Sequence, residues 1–164
     1  MKIECIIDGK ILSLAINSNK PLLDILTENI DNESILVKCR GNHCGNCVVL
    51  LDGEAVLSCL VPAFELRSKT ILTFEGFSKT KNYRDIERAY NSTGHKPCQY
   101  CYNSKTLLIE SIVNRYSITN TLPDISELIS EMNIIKCNCL DIHSFKEIIY
   151  TTISYRKRRN VRKS

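Results

Sequence analysis

The chain has 164 residues, room for one ordinary domain or two small ones, and its 43% hydrophobic content excludes a chain that stays unfolded. Aromatic residues make up only 7% and tryptophan is absent, so no aromatic-rich binding surface is expected. The net charge of +4 is uneven: Arg156, Lys157, Arg158, Arg159, Arg162 and Lys163 crowd the last nine residues and the rest is slightly acidic, which excludes a broad basic nucleic-acid footprint.

Met1-Lys2-Ile3-Glu4 leads straight into a charged, strand-like segment, so no signal peptide is read there. No apolar run approaches the roughly 20 residues of a membrane span. A cytoplasmic location is therefore expected, where thiols stay reduced and clustered cysteines bind metal more often than they form disulfides. In chain order, Ile3, Cys5 and Ile7 share one face of a strand, Asp8-Gly9 makes a tight turn, and Ile11-Leu12 begin the return. Pro21-Leu22-Leu23-Asp24-Ile25-Leu26 has helical spacing, with Pro21 suited to a first turn. A second hairpin runs through Val48-Val49-Leu50-Leu51, turns at Asp52-Gly53 and returns through Ala55-Val56-Leu57. A late strand over Thr70-Ile71-Leu72-Thr73-Phe74 ends at Gly76, and together these elements predict a small α+β domain over residues 1–77.

Beyond Gly76 the period changes. Ser78 to Tyr83 reads as a polar linker. Ile86 with Ala89 and Tyr90, Leu107-Leu108 with Ile112, Ile125 with Leu128 and Ile129, and Phe145 with Ile148-Ile149 and Ile153 then predict four short helices over residues 78–155. Pro123-Asp124 and His143-Ser144 are the expected helix starts. Residues 156–164 read as a solvated basic tail.

Eight of the nine cysteines form two groups of four. The first is Cys39-x4-Cys44-x2-Cys47 with the distant Cys59. Gly41 and Gly45 allow the loop to curl, and a two-residue turn at Asp52-Gly53 sets Cys47 opposite Ser58, which returns Cys59 to the loop. This spacing is that of plant-type [2Fe–2S] ferredoxins. A structural zinc site, which prefers paired C-x2-4-C knuckles, and a set of buried thiols are the competing readings. The second group, Cys98-x2-Cys101 with Cys137-x-Cys139, is open between zinc, a redox dithiol and an iron–sulfur cluster. Both of its pairs precede predicted helices, whose free N–H groups favour thiolates and an anionic cluster. Cys5 reads as a small buried apolar residue, His43 as a loop side chain near the first group, and His95 and His143 as solvated or capping residues. No phosphate loop, nucleophile elbow or paired-histidine zinc motif is present, so no catalytic residue is expected on this chain.

The ordered pair of motifs resembles the small iron–sulfur subunit of molybdenum hydroxylases, the family of xanthine, aldehyde and carbon-monoxide dehydrogenases. The resemblance rests on Cys44-Gly45-Asn46-Cys47-Val48-Val49-Leu50-Leu51-Asp52-Gly53, Ser58-Cys59-Leu60-Val61-Pro62-Ala63, Thr73-Phe74-Glu75-Gly76 and the later C-x2-C…C-x-C, and extends to about Tyr155. It implies an N-terminal β-grasp, plant-type ferredoxin-like domain followed by a C-terminal four-helix [2Fe–2S]-binding domain. It further implies two [2Fe–2S] clusters, one on Cys39, Cys44, Cys47 and Cys59 and the other on Cys98, Cys101, Cys137 and Cys139. Such a chain relays single electrons from a molybdopterin-containing large subunit toward an FAD-containing subunit or other acceptor, with no membrane or nucleic-acid partner. The family has Gln before the first cysteine of the C-x2-C and Arg between the last two; here Pro97 and Asn138 stand in those places. Tyr100 and Tyr102 are expected to form an apolar patch covered by a partner. The reading from a different class is a redox-sensing or zinc-stabilised adaptor whose basic tail meets an anionic partner.

Overall fold

Alternation sets the first strand: β1 (Lys2–Ile7) buries Ile3, Cys5 and Ile7 and leaves Lys2, Glu4 and Ile6 exposed. The structure, a computed structural model, describes residues 1–17, 19–30, 32–35 and 44–162. The chain turns at Asp8 and Gly9, both at positive φ (49° and 80°), into antiparallel β2 (Lys10–Ala15). Two left-handed residues are what a two-residue hairpin compatible with strand twist requires. The same device, Asp52 at φ 50° and Gly53 at φ 88°, joins β3 (Val48–Leu51) to β4 (Glu54–Leu57). The last strand, β5 (Thr70–Leu72), inserts between the hairpins, parallel to β1 and antiparallel to β3, giving a five-stranded mixed sheet in the order β2-β1-β5-β3-β4.

Around β3 the sheet is apolar on both sides. One side packs on α1 (Leu22–Asp24) and the π-helical turn Ile25–Asn29 that continues it, burying Leu22, Ile25 and Leu26 against Ile3, Cys5, Val49 and Ile71. Pro21 caps this helix from outside, one position earlier than expected, and pairs with Pro62. On the other side Val48 and Leu50 enter a core shared with the helices of the second half.

The late strand stops at Leu72, two residues short of the expectation. Asp8 captures Thr73, accepting from its N–H at 2.8 Å and from its hydroxyl at 2.7 Å, and Phe74–Phe77 coils into the short helix α2. Nor does Ser78 to Tyr83 behave as a linker. The Thr80 hydroxyl accepts the Tyr83 N–H at 3.2 Å and caps α3 (Lys81–Thr93), so the segment turns tightly from one helix into the next. The α4 helix (Tyr102–Thr119), α5 (Ile125–Met132) and α6 (Ile142–Val161) follow. Ile86, Ala89, Leu107, Leu108, Phe145 and Ile148 form their shared core, but α5 buries only Leu128 and leaves Ile125 and Ile129 in solvent. Asp141 caps α6, so that helix starts before His143.

The basic tail is a correction. The α6 helix continues to Val161, and Arg156 is buried with its guanidinium on two oxygens of Glu110 (2.7 and 3.3 Å) and its Nε 3.6 Å from Asp85. Arg159 approaches Asp85 at 2.9 Å. Positive charges here answer carboxylates that α3 and α4 place in the interior, a demand invisible in local composition. The tyrosine patch also splits: Tyr100 is exposed, whereas Tyr102 is half-buried with its ring edge-on to Phe74 (5.8 Å) and its hydroxyl 3.0 Å from that of Tyr83. Among the described residues no helix is long and apolar enough to cross a membrane.

The start of α5 carries a capping box. Asp124 accepts the Glu127 N–H at 2.8 Å while the Glu127 carboxylate accepts the Asp124 N–H at 3.1 Å. The Glu127 backbone donor, with help from the Ser126 hydroxyl, holds the Asp124 carboxyl below the usual range. A depressed carboxylate contributes stability that is present above its unfolded pKa and is lost as pH falls through the folded value. Asp124→Ala is expected to fray α5, seen as faster amide exchange over Ile125–Met132, and to flatten the loss of stability below about pH 4. Unchanged exchange in α5 would count against the cap.

Candidate metal centre

Two chain reversals build the second cysteine group. After α3 the chain passes the buried Pro97 to Cys98, and the Cys101 N–H donates to the Cys98 carbonyl at 3.2 Å, closing a turn that leaves Cys101 at the N-cap of α4. Cys137 and Cys139 lie on the loop that Asp141 ends by capping α6. The four sulfurs converge: Cys98 Sγ is 3.7 Å from Cys101 Sγ and 3.6 Å from Cys137 Sγ, and Cys101 Sγ is 3.2 Å from Cys139 Sγ. All four lie within 4.8 Å of one another. These separations are far beyond the roughly 2.05 Å of a disulfide, so the thiols are free donors.

The electrostatics of the quartet are uneven. Burial and the contact with Cys139 push the Cys101 thiol well up, and burial also raises Cys137. Burial pushes Cys139 the same way, but donors outweigh it: the Cys98 N–H at 3.4 Å, the Cys101 thiol and the Lys105 ammonium together bring it down to about 7. Lys105 is a functional candidate that sequence reasoning missed. It lies one helical turn beyond Cys101 and is fully buried, its Nζ donating to the Cys137 carbonyl at 2.5 Å and to Cys139 Sγ at 3.4 Å. Among the described residues no carboxylate pairs with it. A buried ammonium without a counter-ion is costly, and the group of opposite sign within reach is the sulfur quartet. The only sequence signal was a lysine four residues after a cysteine, on the helical face that follows it.

The donor set fits a metal. Four soft sulfur ligands, no competing carboxylate among the described residues and a neighbouring fixed cation match a site that carries net negative charge when its thiols ionise.

The first cysteine group is described in part. Cys39 and His43 lie outside the described residues. Cys44 Sγ accepts the Asn46 N–H at 3.4 Å, and Cys47 is buried at the entrance to β3. The expected pairing across the hairpin is found: Ser58 donates its N–H (3.1 Å) and its hydroxyl (2.7 Å) to the Cys47 carbonyl, and Cys59 follows in a half-buried turn. The two groups are adjacent through backbone. The Lys136 N–H donates to the Cys44 carbonyl at 2.9 Å, and Gly45, at φ 79°, sits so tightly against Ile134 and Ile135 that an added Cβ would collide with the Ile134 carbonyl oxygen. Cys5 stands apart in the sheet core, its thiol pushed up by burial. His95 faces Glu147 at 3.6 Å, and His143 lies in the first turn of α6.

A mixed sheet backed by helices, with four cysteine sulfurs gathered within 4.8 Å of one another, gives the chain a group that could hold a metal. Its relatives make that more particular. The chain is 26% identical over 133 residues to the nicotinate dehydrogenase small FeS subunit of Eubacterium barkeri, covering 81% of this chain and 82% of that one. It is 35% identical over 99 residues to the xanthine dehydrogenase iron-sulfur-binding subunit of Escherichia coli O157:H7, covering 60% and 62%. The crystal structure of quinoline 2-oxidoreductase from Pseudomonas putida 86 superposes over 96% of both chains with a TM-score of 0.74 at 23% identity, a likeness of fold. No family model matches the chain. The chain is a homologue of the iron–sulfur subunits of these dehydrogenases, as its cysteine motifs implied.

Proposed function

We propose that this chain is a two-cluster electron-transfer subunit of a molybdenum-hydroxylase-like dehydrogenase. Cys39, Cys44, Cys47 and Cys59 hold one [2Fe–2S] cluster in a β-grasp domain, and Cys98, Cys101, Cys137 and Cys139 hold the other among the helices. The observation that carries the reading is the convergence of the four sulfurs of Cys98, Cys101, Cys137 and Cys139 beside a buried cation, which an anionic cluster would complement. The sheet order, with β5 parallel to β1 between two hairpins, supports the β-grasp assignment. The names of the relatives support the electron-transfer role. When bound, each cluster supplies one-electron redox chemistry; the chain's own residues supply thiolates and backbone donors. Free thiols suit a reducing compartment such as the cytoplasm. A molybdopterin-containing subunit is the electron source and an FAD-containing subunit the acceptor in this reading.

One observation favours a second reading. Sulfurs around a single tetrahedral zinc, with bonds of about 2.3 Å, stand about 3.8 Å apart, close to the separations in the quartet. Metal analysis separates the two. Anaerobically purified protein is expected to contain about four irons and four acid-labile sulfides per chain and to be coloured. Cys101→Ser is expected to halve the iron and remove one of two reducible EPR signals. Colourless protein with stoichiometric zinc would reject the electron carrier.

A further inference from the structure

We propose that the buried ammonium of Lys105 raises the reduction potential of the cluster held by Cys98, Cys101, Cys137 and Cys139. This rests on the cluster assignment under Proposed function. Lys105 is completely buried on the 18-residue helix α4, and its two partners both belong to the cysteine loop: the Cys137 carbonyl at 2.5 Å and Cys139 Sγ at 3.4 Å. Its charge is thus uncompensated by any carboxylate of the described residues, whereas the other deeply buried cation, Arg156, faces Glu110 and Asp85. Cys139 Sγ also accepts the Cys98 N–H, a dipole and not a full charge.

One-electron reduction turns one ferric ion ferrous and breaks no bond, so it adds one negative charge to a group whose four thiolates, two ferric ions and two sulfides already sum to about −2. A fixed, buried cation beside a ligand sulfur, here that of the exposed Cys139, stabilises the more negative state more than the less negative one. Because α4 holds Lys105 in place, this preference is built in before the electron arrives. A lysine there for packing alone would hold the Cys137 carbonyl and leave the potential unmoved.

The test is an EPR-monitored redox titration of the intact subunit with dithionite as reductant, comparing wild type with Lys105→Met and Lys105→Gln. Both variants remove the charge, and glutamine keeps an N–H for the Cys137 carbonyl. The helical cluster is expected to titrate at least tenfold less favourably toward the reduced form in each, a shift of about 59 mV to more negative potential. The other cluster, as internal reference, is expected not to move. Loaded variants with an unshifted midpoint overturn the proposal, as does failure of both neutral variants to hold the cluster, which makes Lys105 an assembly residue. Wild-type protein that holds zinc in place of iron is a distinct result: it removes the cluster assignment itself.

Discussion

Gly45→Ala is expected to destabilise the protein by roughly 3 kcal/mol or more, the sum of left-handed strain and a backbone collision. Gly45 has φ 79°, and an added Cβ would run into the Ile134 carbonyl oxygen and lie 2.5 Å from Ile135 Cα. Neither neighbour is the movable end of a side chain, so one of the two cysteine-bearing loops must shift. The shift would also stretch the 2.9 Å hydrogen bond from the Lys136 N–H to the Cys44 carbonyl, one residue from Cys137. Gly9 is the control: it has φ 80°, but nothing lies within 4 Å of its added Cβ. Gly9→Ala is therefore expected to cost only about 1 kcal/mol, the backbone penalty alone. Urea unfolding of both variants reads the difference directly. Equal costs would show that the contact between the loops is slack. In the two-cluster reading Gly45→Ala also lowers iron content at both sites, while Gly9→Ala leaves it whole.

Arg156→Met is expected to cost about 3–5 kcal/mol, the range for breaking a buried ion pair from one side. The Arg156 guanidinium meets Glu110 at 2.7 Å and Asp85 at 3.6 Å, and Asn82 completes the group by donating to Glu110 at 2.7 Å. Removing the arginine leaves the Glu110 carboxylate buried with an amide as its remaining partner. Arg159, 2.9 Å from Asp85, still serves that second carboxylate. The double variant Arg156→Met with Glu110→Met is expected to recover much of the loss, because two apolar side chains of similar length need no ionic partner. A single variant as stable as the parent would mean that water reaches Glu110.

What could be read from sequence was what short-range chemistry dictates. Asp8-Gly9 and Asp52-Gly53 fixed both hairpins, since few other pairs accept two positive φ values, and the second turn set Cys47 opposite Ser58. The helical spacing of Ile86, Ala89 and Tyr90 likewise located the buried face of α3. The misses have long-range causes. Asp8 ends β5 from across the sheet by capturing Thr73. Arg156 is drawn inward by carboxylates 46 and 71 positions earlier in the chain. Lys105 was missed because only folding brings Cys137 and Cys139 to it. Of the eight predicted ligands, the four late cysteines converge in one group; Cys44, Cys47 and Cys59 have described positions, and Cys39 is outside the described residues.

Val48 and Leu50 point away from the sheet's own core and into that of α3, α4 and α6. Cutting the chain after Gly76 would therefore strand greasy surface on both fragments, and each would be prone to clump when expressed alone. For protein engineering the practical consequence is that the two halves travel as one cassette: exchanging either with that of another subunit requires recutting this seam as well.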